Sequence, residues 1–412
     1  MNEERHPCYN PSAALKHMRV HLPVAPSCNI QCKFCNRYYD CPNESRPGVT
    51  SALLSPNQAV AYLEKAIAQL GEINVTGIAG PGDPFSDPEL TIETFQLVRK
   101  KYPQMLLCVA SNGLNISKYA ADLKGIGVDH VSVTINAIDP AIGAKIVSWV
   151  RYERKMFRGI EGAEILIKNQ FDALDELHNR GITVKINCVV IPGINDMHVE
   201  EISKTVAAHG ASYFNPMPVI PVNGSEFEGI EKPEHELMQK VRWSVSQNLQ
   251  VLRHCNRCRA DAAGLIGNNN SELIDSLLRE VASGPLHPGE KRPYVAVASR
   301  EGLLINEHLG KAGQFYIFGK GKNTFDLIEI RQAPSAGNGP QRWKDLAELL
   351  NDCSVLLVNQ TGEPPKVTLS QAGIKVYTTE GLIDDALSAV LAGHQPAAVC
   401  NAKPCSGGAG GC

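Results

Sequence analysis

The chain has 412 residues, 43% of them hydrophobic, enough for a large catalytic domain and a smaller second one. Its 40 basic and 43 acidic side chains give a net charge of -3, which offers no general field for nucleic acid or anionic lipid, so the expected partner is a small molecule or another protein. No apolar run approaches the ~20 residues of a membrane span. The opening Met1-Asn-Glu-Glu-Arg-His6 shows no apolar signal segment, and 13 cysteines, an odd number, argue for a reducing cytoplasm over a disulfide framework.

From residue 18 to about 253, short β-branched runs alternate with amphipathic stretches, the pattern of parallel βαβ units. Strands are expected at 19–25, 73–79, 105–110, 129–135, 182–190 and 211–216, and helices at 56–69, 88–101, 116–124, 160–180 and 197–209. Ser55-Pro56 and Asp87-Pro88 supply N-cap and N1 pairs for the first two helices. Six repeats imply an α/β fold built on a partial (β/α)6 barrel, which places its chemistry at the carboxyl ends of the strands.

Just past the first strand stands Cys28-Asn-Ile-Gln-Cys32-Lys-Phe34-Cys35, three thiols at CxxxCxxC spacing. Three thiolates from one loop hold three corners of a 4Fe-4S cube and leave the fourth iron open. An open iron can chelate the amino and carboxylate groups of S-adenosylmethionine, and one electron then cleaves the sulfonium into methionine and a 5'-deoxyadenosyl radical. A zinc knuckle needs a fourth ligand, and the loop has none at a matching distance. The spacing, with Phe34 just before the last cysteine, resembles the radical SAM superfamily. The second strand ends in Ala79-Gly80-Pro81-Gly82-Asp83-Pro84, similar to that superfamily's Gly-Gly-Glu-Pro motif but with a shorter acidic residue. There, glycines allow the main chain to approach the methionine ammonium. Further contacts to the cofactor are expected from Asn112, from Thr134 and Asn136 on one face of the fourth strand, and from Ile186 packing on adenine. For each, ordinary packing or turn formation is the competing reading.

The same region carries more soft ligands than one cluster needs. His6-Pro-Cys8 and Cys255-Asn-Arg-Cys258 lie in polar segments, Cys41 follows the three-Cys loop by six residues, and Cys108 lies in the third strand. Cys188, mid-strand, is expected to be a buried small hydrophobe, a role that also suits Cys108. His6, Cys8, Cys41, Cys108, Cys255 and Cys258 make six ligands, which suits two further cubes with three each. Glu44 and Arg46, beside Cys41, read either as a surface ion pair or as groups handling protons or sulfur.

Gly264 to Glu290, rich in Gly, Asn and Pro around one short helical segment, Glu272 to Ala282, reads as a linker. Beyond it, four apolar runs suggest a separate α/β domain of ordinary size. Cys400 to Cys412 is too glycine-rich to pack. The expected organisation is 1–265 for the barrel with its cluster ligands, 266–292 for the linker, 293–393 for the second domain and 394–412 for the tail.

Taken with Asp40-Cys41-Pro-Asn-Glu-Ser-Arg-Pro-Gly48, Ser111-Asn-Gly113 and His254-Cys255-Asn-Arg-Cys258-Arg-Ala-Asp261, these motifs resemble the nitrogenase cofactor-maturation family NifB over the first 265 residues. The resemblance implies a radical SAM enzyme that cleaves S-adenosylmethionine in lyase fashion and transfers a methyl group to a cluster sulfide. It fuses two 4Fe-4S substrate clusters with a methyl-derived carbide and an added sulfide into an 8Fe-9S-C precursor of the iron-molybdenum cofactor. Implied partners are an iron-sulfur cluster donor, a reductant and a nitrogenase cofactor carrier or scaffold. Val295 to Leu391 resembles the NifX-like cofactor-carrier domain, notably at Asn306-Glu-His308-Leu-Gly310, where His308 either touches cofactor or caps a strand. The alternatives are a radical SAM enzyme whose extra clusters only carry electrons, and an iron-sulfur scaffold with a vestigial SAM loop.

Overall fold

The computed structural model describes residues 3–46, 48–50, 52–253, 257–266, 271–282, 292–320, 325–335, 339–391 and 395–396. The chain divides into two compact units, Met1–Leu286 and His287–Cys412. In the first, six parallel strands stand in chain order across one sheet: β1 (Met18–His21), β2 (Ile73–Ile78), β3 (Leu106–Ser111), β4 (His130–Thr134), β5 (Thr183–Val190) and β6 (Tyr213–Pro218). Gln250–Val251 extends the β6 edge in parallel, and Ala263–Gly264 pairs antiparallel with β1. The sheet therefore stays open, with Gln250–Val251 at one edge and Ala263–Gly264 at the other. The partial barrel expected from the six repeats is the one observed.

Both faces of this sheet are covered, as parallel strands require. Val20, Leu22, Val131, Val133, Val184, Ile186, Cys188, Val190 and Phe214 form a core with helical residues including Ala59, Tyr62, Leu63 and Phe95. Each fully buried large side chain there contributes about 1.5–3 kcal/mol. By the two-residue period of a strand, the intervening residues face the barrel interior. Helix α1 (Pro56–Leu70) starts with a capping box, Ser55 Oγ accepting from the Gln58 amide and the Gln58 side chain accepting from Ser55 N–H. Asp87 precedes α2 (Pro88–Lys101) in the expected place, but its side chain makes no capping hydrogen bond.

Three elements depart from the sequence reading. A helix, Pro140–Ile146, and a hairpin, Val147–Tyr152 with Lys155–Phe157, are inserted after β4, and the hairpin takes Ile30–Cys32 as its third strand. The hairpin turn, Glu153-Arg154, has positive φ at both residues (50° and 66°), a type I′ geometry without the usual Asn-Gly signature. Helix His235–Ser246 was likewise unassigned. The helical segment expected at Glu272 to Ala282 is present as Ser271–Ala282, but it does not stand free as part of a linker: Ile274, Leu277, Leu278 and Val281 are buried in the first unit's core. The Gln58 side chain donates to the carbonyls of Val281 and Ala282, and Lys65 pairs with Glu280 at 2.7 Å.

The second unit is a mixed sheet ordered β9-β8-β7-β10-β11, from β7 (Tyr294–Ala298), β8 (Gln314–Lys320), β9 (Phe325–Gln332), β10 (Cys353–Val358) and β11 (Lys375–Thr378). It is the smaller α/β domain expected after the barrel.

Candidate active site

The three-Cys loop is held by main-chain contacts from the segment that follows β2. Ala25 pairs with Pro81, Gly82 N–H donates to the Ala25 carbonyl (2.6 Å), and Asp83 N–H donates to the Ser27 carbonyl (2.7 Å). Only glycine fits at 82, because a Cβ there would lie 2.1 Å from the Ser27 carbonyl oxygen. Downstream, Gln31 Nε2 donates to the carbonyls of Cys32 (3.0 Å) and Cys35 (2.8 Å), shaping the turn between them. Phe34, fully buried with Leu114, Ile146, Val150 and Val189, anchors the loop from beneath. Cys28, Cys32 and Cys35 share a cavity of about 340 Å³ with Cys41, Arg37 and Asp83. Burial pushes the Cys28 thiol up to about 11 and raises the Cys32 and Cys41 thiols well above the ordinary thiol value, so iron binding here must release protons.

A second cavity of about 560 Å³ occupies the barrel interior, and His6, Cys8, Cys108 and Cys258 all line it. His6 is 1% exposed, although it lies six residues into the chain. Its Nδ1 accepts from Cys8 N–H (3.2 Å), its ring lies 4.7 Å from Tyr9 and 4.6 Å from His130, and its Nε2 has no hydrogen-bond partner among the described residues. Burial holds this imidazole neutral, its pKa well below the ordinary histidine value. The Cys108 thiol fills the space that a side chain at Gly77 would need, where a Cβ would lie 2.7 Å from Sγ. Cys258 Sγ accepts from Nη2 of the buried Arg19 (2.9 Å). The nine described cysteines are all free thiols, and Cys188 is fully buried in the core. Cys255 lies outside the described residues, as do His254 and the tail cysteines. Among the described residues no three His, Cys, Asp or Glu side chains are gathered closely enough to hold one metal ion.

The expected cofactor contacts separate into those that face the mouth and one that does not. Asn112, Thr134 and Asn136 line a cavity of about 410 Å³ beside Cys32, floored by Gly143, Ile146 and Leu166. Asn112 Nδ2 donates to Cys28 Sγ (3.8 Å) and Asn29 Oδ1 (2.7 Å). Ile186 is a correction: it packs with Val184, Cys188 and Val190 under the helices, while Lys185 and Asn187 face the interior. Asp83 is turned inward from the motif; its carboxylate accepts from Phe85 N–H, Ser111 Oγ and Asn112 N–H, tying the ends of β2 and β3 together. Gly80, at φ 141°, would press a Cβ to 3.1 Å from the Ala260 side chain. The surface ion pair is also corrected: Glu44 points into the mouth, accepting from Thr134 Oγ1 and from Asn187 Nδ2 (2.7 Å), while Arg46 is exposed. Burial raises the Glu44 carboxyl to about 7. The reading from sequence missed Arg19, Asn43 and Lys185; a charged residue inside an apolar strand run, as in Met18-Arg-Val-His21 and Thr183-Val-Lys-Ile186, was the available signal. In the second unit, His308 is exposed and its Nδ1 accepts from Gly310 N–H (2.9 Å), a turn-capping contact.

The Radical SAM superfamily profile matches residues 22–206 and the Dinitrogenase iron-molybdenum cofactor profile residues 291–393. The FeMo cofactor biosynthesis protein NifB of Chlorobaculum tepidum is 48% identical over 396 residues, covering 96% of this chain and 93% of its own. The chain belongs to the NifB family. Its NifB relatives from Azotobacter vinelandii (36% identical, covering 94% of this chain and 88% of theirs) and Frankia alni (35%, 93% and 87%) align over nearly the whole length. It is thus a radical SAM protein of a family named for FeMo cofactor biosynthesis, and membership implies a 4Fe-4S cluster and S-adenosylmethionine. Among the described residues no helix is long and apolar enough to cross a membrane.

Proposed function

We propose that this chain is a synthase that fuses two 4Fe-4S substrate clusters, a SAM-derived carbide and an added sulfide into the 8Fe-9S-C precursor of the iron-molybdenum cofactor. The observation that carries this reading is the second, interior set of soft ligands: His6, Cys8, Cys108 and Cys258 around one cavity, adjacent to the three-Cys loop. The donor set fits iron-sulfur substrates, since thiols and neutral imidazole select such metals. His6 Nε2, buried and unpartnered, lacks the acceptor or metal that such an atom ordinarily has.

Cys28, Cys32 and Cys35 hold the cluster that, when bound, supplies the electron for cleavage of S-adenosylmethionine. Asn112 and Thr134 orient the cofactor from the strand ends, and the apolar wall of Ile146, Val147 and Leu166 excludes water from it. Cys108, seated against Gly77, and Cys41, Cys255 and Cys258 hold the substrate cubes with Cys8 and His6. His6 is the ligand best suited to letting go as the cubes merge, because imidazole is neutral and more labile than thiolate. In its neutral form the nitrogen accepting from Cys8 N–H carries no proton, so coordination through Nε2 shifts the hydrogen to Nδ1 and breaks that contact. Residues 293–393 serve as an accessory carrier domain that supplies none of these ligands, and cluster donor, reductant and cofactor scaffold are its partners in the cytoplasm.

Anaerobic reconstitution followed by S-adenosylmethionine and reductant, with activation of apo-nitrogenase as readout, tests the proposal. Activation that depends on S-adenosylmethionine is expected. Cofactor cleavage without any transferable precursor would favour clusters that only carry electrons, and binding without cleavage would favour a scaffold.

A further inference from the structure

One buried side chain touches both a thiol of the three-Cys loop and the neighbouring Cys41. Asn43, 4% exposed, donates from Nδ2 to Cys32 Sγ (3.4 Å) and to Cys41 Sγ (3.7 Å). The orientation of its amide is fixed by a chain of contacts that ends on the backbone. Val189 N–H donates to Asn136 Oδ1 (2.8 Å), so Asn136 presents its Nδ2, which donates to Asn43 Oδ1 (3.1 Å). Asn43 must then turn its NH2 toward the sulfurs, and an NH2 has two hydrogens for two acceptors. Asn195, donating to the carbonyls of Asn136 (2.9 Å) and Val189 (2.8 Å), holds the far end of the chain.

We propose that Asn43 is a positioning residue that joins the radical-generating cluster to the adjacent substrate cluster, giving one N–H to a ligating sulfur of each. The inference rests on the assignment of Cys32 to the first cluster and Cys41 to a second. Hydrogen bonds to ligating sulfurs stabilise the more negative, reduced state and raise a cluster's potential. A single amide shared by both sulfurs therefore raises both potentials together and fixes the separation of the two thiols. It also gives a reason for Asn136, expected as a cofactor contact, to be an amide: its hydrogen bonds set which way Asn43 faces.

The test uses the full chain, reconstituted anaerobically, as wild type, Asn43→Leu and Asn43→Asp. Leucine keeps the volume and removes both donors; aspartate keeps the shape and replaces donors with acceptors. Iron content and EPR-monitored redox titrations are measured without S-adenosylmethionine, so that the readout is independent of turnover. Wild-type iron with midpoint potentials lowered in two clusters, further in Asn43→Asp than in Asn43→Leu, is the expected result. Unchanged potentials, or a shift confined to one cluster, would overturn the shared role. Loss of bound iron from both variants would overturn it too, by showing a purely structural residue. A parallel Cys41→Ala protein separates the two levels of the argument: full iron and every cluster signal retained there would remove Cys41 as a ligand and the bridging claim with it, whereas loss of one cluster leaves the Asn43 titrations to decide.

Discussion

His6 is six residues from the start of the chain, where an exposed and replaceable side chain is the ordinary expectation, yet it is buried against Tyr9 and His130 with Nε2 unpartnered. His6→Ala is expected to lose about four of about twelve bound irons while S-adenosylmethionine cleavage persists, and His6→Cys to restore them. Wild-type iron and precursor yield in His6→Ala would show that the histidine is no ligand. Gly77→Ala probes the same cavity from its wall, because the new methyl would collide with Cys108 Sγ and force the thiol aside. Substrate-cluster iron should fall while the EPR signal of the three-Cys cluster is unchanged; equal loss of both would point to general misfolding. His21 offers a pH test in the iron-free chain. Burial lowers its pKa to about 4, so between about 4 and the ordinary 6.5 the unfolded chain binds the extra proton. Its contribution is therefore complete above pH 6.5 and is lost as pH falls. Relative to His21→Gln, the wild type should lose about 2 kcal/mol between pH 7.5 and pH 5. Denaturant midpoints that move in parallel for the two proteins would contradict this.

At the scale of elements, helix 271–282 moves the boundary at which the first unit can be cut. Its four buried apolar side chains lie on the core that includes α1, so a chain ending at 265 should be less stable than one ending at 286 by on the order of 6 kcal/mol. Precursor synthesis is expected to survive the cut at 286, since the second unit supplies none of the assigned ligands. Equal denaturant midpoints for the two truncations would refute the helix's part in the core. The parallel strands were legible because turn residues punctuate runs of the right length, and β3, β4 and β5 lie within one residue of their expected starts. The hairpin was not, since Glu153 and Arg154 take up left-handed backbone without the glycine or asparagine that marks such turns. Ile186 was misplaced for a related reason: a strand buried on both faces gives an almost continuous apolar run, and only Lys185 and Asn187 betray which face lines the interior.

For the molecule as a whole, the segments proposed to carry cluster ligands stand out by residue type and spacing, but spacing does not say which of them share a cavity. Spacing along the chain placed Cys41 with the other extra ligands, whereas folding brings it beside Cys28, Cys32 and Cys35 and gathers His6, Cys8, Cys108 and Cys258 from three separate segments into the barrel. Such convergence depends on the order of strands and on Ala263–Gly264 pairing with β1 at the edge opposite Gln250–Val251, neither of which is written in local sequence. The central claim is that the barrel holds two substrate clusters beside the three-Cys cluster. Iron analysis of the anaerobically reconstituted full chain, with cluster types resolved by Mössbauer spectroscopy, tests it most directly. Three four-iron clusters require about twelve irons per chain, and a plateau near four with one cluster type would rule out the two substrate clusters.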